Sequence, residues 1–478
     1  MSLFAKPRKK PAVAPITPIL SARPSLLQTT KIQNLEDKNL EGMVILRLSP
    51  EGRGVGRTAE GKTVFVEGAL PGERVTYKVR FTRSRYDEAV LDKVLQPSPQ
   101  RQEPKCEHYA VCGGCNLQHL EAQAQVTFKQ ALVAEVMQQP ENTLQAVIQS
   151  QPFAYRRKAR LGVKWRKDGR LLLGFREKSS SFITNIINCP ILTVKLQPLL
   201  PALHEFLPRL EGKKHLGHIE LIEGESQIGV LVRLLRPLAR LTNNDQRFWK
   251  TWAKEQAVVL LLQDEHGFHS LDTETEADLD NQNTPSLFSY TLKDQTLFFA
   301  GNDFVQINAL VNQQMVQQAL NWLDLKGNEK VLDLFCGFGN FTLPLAKQAG
   351  EVLGVEGSAY QVERAAANAL HNNINNAHFV TADLNLPLKQ QAWLTKENTA
   401  WDVVLLDPPR AGAEAICQQL ASLGAHKVLY VSCNPATLAR DTAILLQQGF
   451  KLQQLGVMDM FPQTAHVESM ALFIRPSC

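Results

Sequence analysis

The sequence predicts an α/β protein: a C-terminal parallel-rich sheet with helices on both faces, preceded by a small β-barrel and a central, mainly β region. Three observations carry this expectation. In the last part of the chain, short apolar runs ("KVLDLFCG", "EVLGVEGS", "HFVTADL", "WDVVLLDPP", "KVLYVSCN", "SMALFIRP") alternate with helical runs such as "AYQVERAAANALHNN" and "AEAICQQLASL". Strand, helix and strand in regular succession imply a parallel sheet wrapped by helices. Residues 33–97 instead place Val44, Val64, Val66, Val75, Val79, Val90 and Val94 at strand spacing between Gly52, Gly54, Gly56, Gly61, Gly68 and Gly72, the pattern of a small barrel. The linker "QPSPQRQEP" and a cysteine cluster follow.

A chain of 478 residues has room for about three domains and at least one large core. The segment "KPRKKPAVAPITPILSARPS" is rich in proline and bases and has no compact apolar core, so residues 1–32 read as a disordered basic tail and not as a secretory signal. Residues 98–290 form the central region and 291–478 the C-terminal domain. No apolar run approaches the length needed to span a membrane, so a cytoplasmic protein with no membrane partner is expected, and no obligate protein partner is evident.

The net charge of +5 hides an asymmetry. Residues 1–100 hold 17 Lys/Arg against 10 Asp/Glu, and residues 151–180 hold 10 against 2. Segregated charge of that kind suits a polyanion lying along one side of the molecule. Arg53, Arg57, Arg80, Arg83 and Arg85, with Arg156, Arg157, Lys158 and Arg160, are candidate phosphate contacts, and Phe81, Tyr86 and Tyr155 candidate stacking platforms.

Ligands of parallel sheets bind beyond the carboxyl ends of the strands, which puts Asp333 to Gly339, Glu356, Asp383, Asp407 and Cys433 on one rim. Gly337 and Gly339 let a backbone turn approach a ligand closely, although Thr342 replaces the third glycine of a dinucleotide fingerprint. Glu356, closing the next strand, is placed to accept ribose hydroxyls, and Asp383 to address an adenine. The two prolines after Asp407 stiffen its turn. Cys433 falls between a buried strand and a helix for which Asn434 is the N-cap and Pro435 the first residue, and the positive end of that helix favours thiolate.

The segments "FVQINALVNQQM", "DLFCGFGNFTLPLA", "DPPRAG", "SCNPATLARD" and "FPQTAHVESMALF" occur in order and resemble the RNA (uracil-5-)-methyltransferases that use S-adenosylmethionine; residues 42–97 resemble a TRAM domain, a small OB-like RNA-binding barrel. The resemblance implies a Rossmann-like class I methyltransferase domain. It also implies an S-adenosylmethionine site lined by Gln306, Phe335, Asn340, Glu356, Asp383 and Asp407, with Cys433 as nucleophile and Glu468 as general base. Cys336 is the rival nucleophile and His466 the rival base.

Cys106, Cys112 and Cys115, with Cys189 before a proline, make a plausible metal set. The Cys-x2-Cys pair alone suits zinc, while the unequal spacing and distant fourth cysteine are closer to iron-sulfur ligation. With a barrel and four cysteines together, the resemblance points to the branch that methylates a uridine of 23S ribosomal RNA and carries a [4Fe-4S] cluster.

Overall fold

The computed structural model describes residues 42–269, 271, 287–386, 390–394 and 400–475. The expected basic tail, 1–32, and the acidic stretch "DTETEADLDNQNTP" lie outside the described residues.

The first sheet has six strands, in the order Met43–Val44, Arg74–Thr82, Tyr86–Gln96, Thr63–Glu67, Gly54–Arg57, Arg47–Leu48. Alternation along Thr63–Glu67 sends Val64 and Val66 inward, where they pack with Met43, Ile45, Ala69, Val75 and Ala89. Buried Glu73 accepts from the amides of Leu70 (2.8 Å) and Ser98 (3.3 Å) and from the Arg101 guanidinium, tying the barrel to the linker that follows it.

The central sheet runs Gly267–His269, Val259–Asp264, Ile228–Leu234, Leu216–Glu223, Lys158–Trp165, Leu171–Gly174, antiparallel except between the second and third strands of that order. Helices Leu199–Phe206 and Asn243–Glu255 cover one face with a cluster of Phe206, Trp249 and Trp252. Thr242 caps the second helix by accepting from the Asp245 amide at 3.1 Å.

The C-terminal sheet has seven strands: β1 (Lys330–Leu334), β2 (Glu351–Glu356), β3 (Ala377–Thr381), β4 (Val403–Leu406), β5 (Lys427–Ser432), β6 (Lys451–Met458) and β7 (Glu468–Ile474). They lie in the order β3, β2, β1, β4, β5, β7, β6. The first five are parallel; β7 runs against both neighbours. Continuous runs such as Val403–Leu406 are buried because helices cover both faces. Helices Ala309–Leu323 and Ala359–His371 contribute to one layer, and Glu414–Cys417 and Pro435–Gln447 to the other.

Helix Ala122–Met137, upstream of the central sheet, packs Val133, Ala134 and Met137 into this second layer. Its Lys129 is fully buried, with Nζ 2.5 Å from Asp459 Oδ1 and 3.0 Å from the Phe461 carbonyl. Truncating one partner of such a pair strands the other charge. Lys129→Ala should cost about 3–5 kcal/mol in urea unfolding, with a Lys129→Met/Asp459→Leu double variant recovering most of it. A loss below about 1 kcal/mol would show that the pair does not hold the helix in place.

Candidate active site

The antiparallel course of β7 brings the site together. Ser432 pairs with Ser469 and Met458 with Glu468. The residue after Ser432 is Cys433 and the residue before Ser469 is Glu468, so thiol and carboxyl meet at the rim where the parallel strands end. Asn434 caps helix Pro435–Gln447 through its side chain, accepting from the Ala436 amide at 3.2 Å, as the sequence implies.

The predicted preference for thiolate requires correction in the free protein. Burial first, and then the Glu468 carboxyl, push the Cys433 thiol up to about 11; Arg410 pulls the other way and Asp407 adds a smaller push. Glu468, 7% exposed, is raised to about 8 by burial and by Asp407, again opposed by Arg410.

Burial likewise raises Asp407, one residue past β4, to about 7. Asp333 on β1 is also raised to about 7 by burial, even though Thr342 Oγ1 donates to its Oδ2 at 2.5 Å. Its Oδ1 is buried with no hydrogen-bond partner among the described residues. The buried Asp333 and Glu468 and the half-buried Asp407 thus gather raised carboxyls at one rim, with Arg410 acting on Glu468, an arrangement that suits a cationic ligand.

The glycine turn behaves as its sequence requires. Gly339 has φ +102°, and a Cβ there would collide with Leu343. Phe335, with φ +66°, is a bulky residue in the left-handed region, a strained conformation of the kind that gathers at ligand sites. Glu356 accepts from the amides of Gly337 (3.2 Å), Gly357 (2.8 Å) and Ser358 (3.1 Å), which fixes its carboxylate at the end of β2. Asn340 is held by a reciprocal amide pair with Asn312 (2.9 and 3.0 Å) and by the Tyr290 hydroxyl (2.8 Å). Gln306 sits half-buried, its carbonyl accepting from Arg157 Nε at 2.8 Å. Asp383 is exposed, and hydrogen bonds from the Asn385 amide and side chain hold its carboxyl below the usual range. It stands apart from the buried carboxyls.

The rivals fare differently. Cys336 is buried, its thiol pKa raised well above the ordinary value by burial, and its sulfur lies against Gly354, where even a Cβ would approach to 2.9 Å. His466 is exposed before β7 begins, with Nδ1 3.4 Å from Arg410 Nη2. Partial desolvation of its ring by the surrounding chain and then Arg410 lower its pKa.

Arg410, inside the quoted "DPPRAG", was not singled out from sequence. Its loop is stitched to the helix that follows Cys433. Asn434 Nδ2 donates to the Arg410 carbonyl (3.1 Å), Arg440 to the Ala411 carbonyl (2.9 Å), and Asp441 accepts from the Ala413 amide (2.8 Å) and the Tyr430 hydroxyl (2.6 Å).

The basic segment 155–160 also departs from expectation. Tyr155 is buried with its hydroxyl on the Pro462 carbonyl (2.9 Å), Arg157 is 5% exposed, and Lys158 donates to the Asp303 carbonyl (2.6 Å). These side chains tie the central region to loops of the C-terminal part of the chain. In the barrel, Tyr86 packs edge-on against Phe65, whereas Phe81 is exposed beside Arg83.

Cys106, Cys112, Cys115 and Cys189 line one cavity with Tyr109, Phe175 and Ile186. Burial raises all four thiols, Cys115 to about 11 and Cys189 to about 12. Among the described residues no three His, Cys, Asp or Glu side chains converge closely enough to hold a single metal ion.

Comparison with known proteins places this geometry. The tRNA (Uracil-5-)-methyltransferase family model matches residues 121–476, and the TRAM domain model matches 44–91. The 23S rRNA (uracil(1939)-C(5))-methyltransferase RlmD of Photobacterium profundum is 42% identical over 467 residues, 94% of this chain and 96% of that one. The protein of the same name from Pseudomonas entomophila is 45% identical over 437 residues, covering 90% and 93%. The crystal structure of Pyrococcus abyssi tRNA (uracil-54, C5)-methyltransferase with S-adenosyl-L-homocysteine superposes with a TM-score of 0.69 over 91% of this chain and all of that one, at 24% identity, and so shares the fold. With its cysteine and carboxyl at one rim and a family match running from helix Ala122–Met137 through β7, the chain belongs to the tRNA (uracil-5-)-methyltransferase family.

Proposed function

We propose that the protein methylates C5 of a uridine in 23S ribosomal RNA, the position numbered 1939 in the names of its relatives, using S-adenosylmethionine. The observation that carries this reading is the meeting of Cys433 and Glu468 at the carboxyl rim, beside a glycine turn and the raised carboxyls of Asp333 and Asp407. Gln306, Phe335, Asn340, Glu356, Asp383 and Asp407 line the cofactor cleft. When bound there, the cofactor supplies an electrophilic methyl group on a cationic sulfonium.

C5 of uracil is too weak a nucleophile to take that methyl unaided. Addition of the Cys433 sulfur to C6 turns the ring into an enolate with carbanion character at C5, which then accepts the methyl. Glu468 removes the C5 proton, and elimination of the sulfur from C6 restores the ring and releases Cys433 as thiolate. A carboxyl raised to about 8 is a stronger base than a solvated one, and its burial keeps competing water away. Arg410 and the cationic methyl donor both favour ionisation of Cys433, which offsets the burial that keeps it a thiol in the free protein.

The layout that serves this chemistry is a TRAM barrel within 33–97, of which the residues from 42 on are described, a central region within 98–290 and the methyltransferase domain within 291–478. The target base must leave its stack to reach Cys433, at a cost of a few kcal/mol. Phe81, 53% exposed and next to Arg83, and the exposed Arg85 are barrel groups placed to grip RNA and offset that cost. A soluble cytoplasmic enzyme follows from the substrate; among the described residues no helix is long and apolar enough to cross a membrane.

The four cysteines fit a [4Fe-4S] cluster. They share one apolar-walled cavity, and their unequal spacing with a distant fourth cysteine before a proline supports iron-sulfur ligation over zinc. Bound there, the cluster would brace the connection between the barrel and the central sheet, since methyl transfer needs no electrons.

Cys433→Ala should lower methyl transfer by at least about four orders of magnitude while leaving cofactor affinity within about threefold, measured with radiolabelled methyl donor and by calorimetry. Glu468→Gln should accumulate a protein–RNA adduct that survives denaturing electrophoresis. In the free protein Glu468 is raised to about 8, so kcat/KM should climb as pH rises through that value, because only the ionised carboxylate accepts the proton; a flat kcat/KM profile between pH 6.5 and 8.5 would assign the proton elsewhere. Protein purified without oxygen should carry roughly four iron atoms per chain, and zinc in their place would overturn the cluster.

A further inference from the structure

Asp441, on the helix that follows Cys433, is fully buried, and both of its carboxylate oxygens are occupied. Oδ2 accepts from the Ala413 amide at 2.8 Å and from the Tyr430 hydroxyl at 2.6 Å; Oδ1 accepts from Arg440 Nε at 2.8 Å and pairs with Nη2 at 2.7 Å. Arg440 Nη2 also donates to the Ala411 carbonyl at 2.9 Å. One carboxylate thus grips the loop after β4 at two points, directly at Ala413 and through Arg440 at Ala411. Gly412 lies between those points with φ +78°, and a Cβ there would stand 2.6 Å from both Arg440 Nη2 and Asp441 Oδ2. Loop and helix approach as closely as a glycine allows.

The residue that this grip places is Arg410. Its carbonyl accepts from Asn434 Nδ2 at 3.1 Å and Thr437 Oγ1 at 3.4 Å, and its Nη2 lies 3.4 Å from Nδ1 of His466. Asn434 directly follows Cys433, and His466 stands two residues before Glu468, so the loop touches both stretches of chain that carry the nucleophile and the base. The Arg410 side chain is exposed, and its position depends on the backbone that carries it. Arg410 draws both Cys433 and Glu468 toward ionisation, whereas Asp407 opposes it in both, and the two reacting groups are thereby sensitive to where that guanidinium sits. We propose that Asp441 is a positioning residue for methyl transfer, clamping residues 411–413 to the helix so that the Arg410 guanidinium stays beside the nucleophile and the base. This rests on the methyl transfer proposed above. An amide at 441 can accept on one side only, so Asp441→Asn releases either Ala413 or Arg440 with its hold on Ala411.

The test is the pH dependence of kcat/KM for methyl transfer to a 23S RNA fragment, with thermal melting followed in parallel, in the parent, Arg410→Gln, Asp441→Asn, Gly412→Ala and the Arg410→Gln/Asp441→Asn pair. Without the pull of Arg410 the Glu468 carboxyl is a weaker acid, so Arg410→Gln should move the midpoint to higher pH by about threefold in the ionisation constant. Asp441→Asn should move it in the same direction. Gly412→Ala, which leaves the carboxylate in place and forces the loop off it, should do the same and carries the comparison if Asp441→Asn does not fold. The double variant should move no further than Arg410→Gln alone. A parental midpoint in Arg410→Gln, or in Asp441→Asn and Gly412→Ala while their melting temperatures fall, would overturn the proposal, as would an additive shift in the double variant. Failure of the parent to methylate the fragment would sink the proposed function and this role with it; normal methylation with an unmoved midpoint sinks only the clamp.

Discussion

The reversal of one strand sets up this active site. In a purely parallel sheet every strand would arrive at the rim by its carboxyl end, and only residues following a strand would stand there. Because β7 runs backwards between β5 and β6, its first residue stands at the rim beside the residue that follows β5. A nucleophile from one turn and a base from the start of a neighbouring strand are thereby fixed by backbone register and not by loop conformation. The loop that makes the reversal is itself pinned. Gln463, buried with φ +69°, exchanges hydrogen bonds with Gln125, and its carbonyl accepts from the amides of Asn116 and Leu117.

Around that pair the protein has accumulated buried acid without matching base. Asp333, Asp407 and Glu468 are each raised by burial, so the free protein holds extra protons at neutral pH. A cationic ligand entering the cleft relieves that situation, and its neutral sulfide product does not. The same field keeps the Cys433 thiol protonated until the ligand arrives, which protects a reactive group from premature chemistry.

Much of this was legible in the sequence, for identifiable reasons. The parallel strands read clearly because burial on both faces makes them continuous apolar runs, as in Val403–Leu406. The cap and first turn after Cys433 read clearly because Asn-Pro has few conformational options. Strand β6 did not, since "KLQQ" at its start is half exposed and alternates with polar residues. The antiparallel sense of β7 is a matter of topology that periodicity cannot reveal. The basic run 155–160 misled because sequence counts charge but not burial. Arg157 and Lys158 spend theirs on backbone carbonyls of the C-terminal part. The thiol expectation failed for a related reason: a helix terminus is visible in sequence, whereas two carboxyls arriving from distant strands are not.

The central claim is that the Cys433 sulfur bonds to C6 of the target uracil before C5 is methylated. RNA carrying 5-fluorouridine at the target tests this most directly, because fluorine at C5 cannot be removed as a proton and the adduct cannot collapse. Incubation with S-adenosylmethionine followed by digestion and mass spectrometry should find one peptide, containing Cys433, bonded to a methylated fluorouridine. Absence of any adduct, or an adduct on Cys336, would contradict the account.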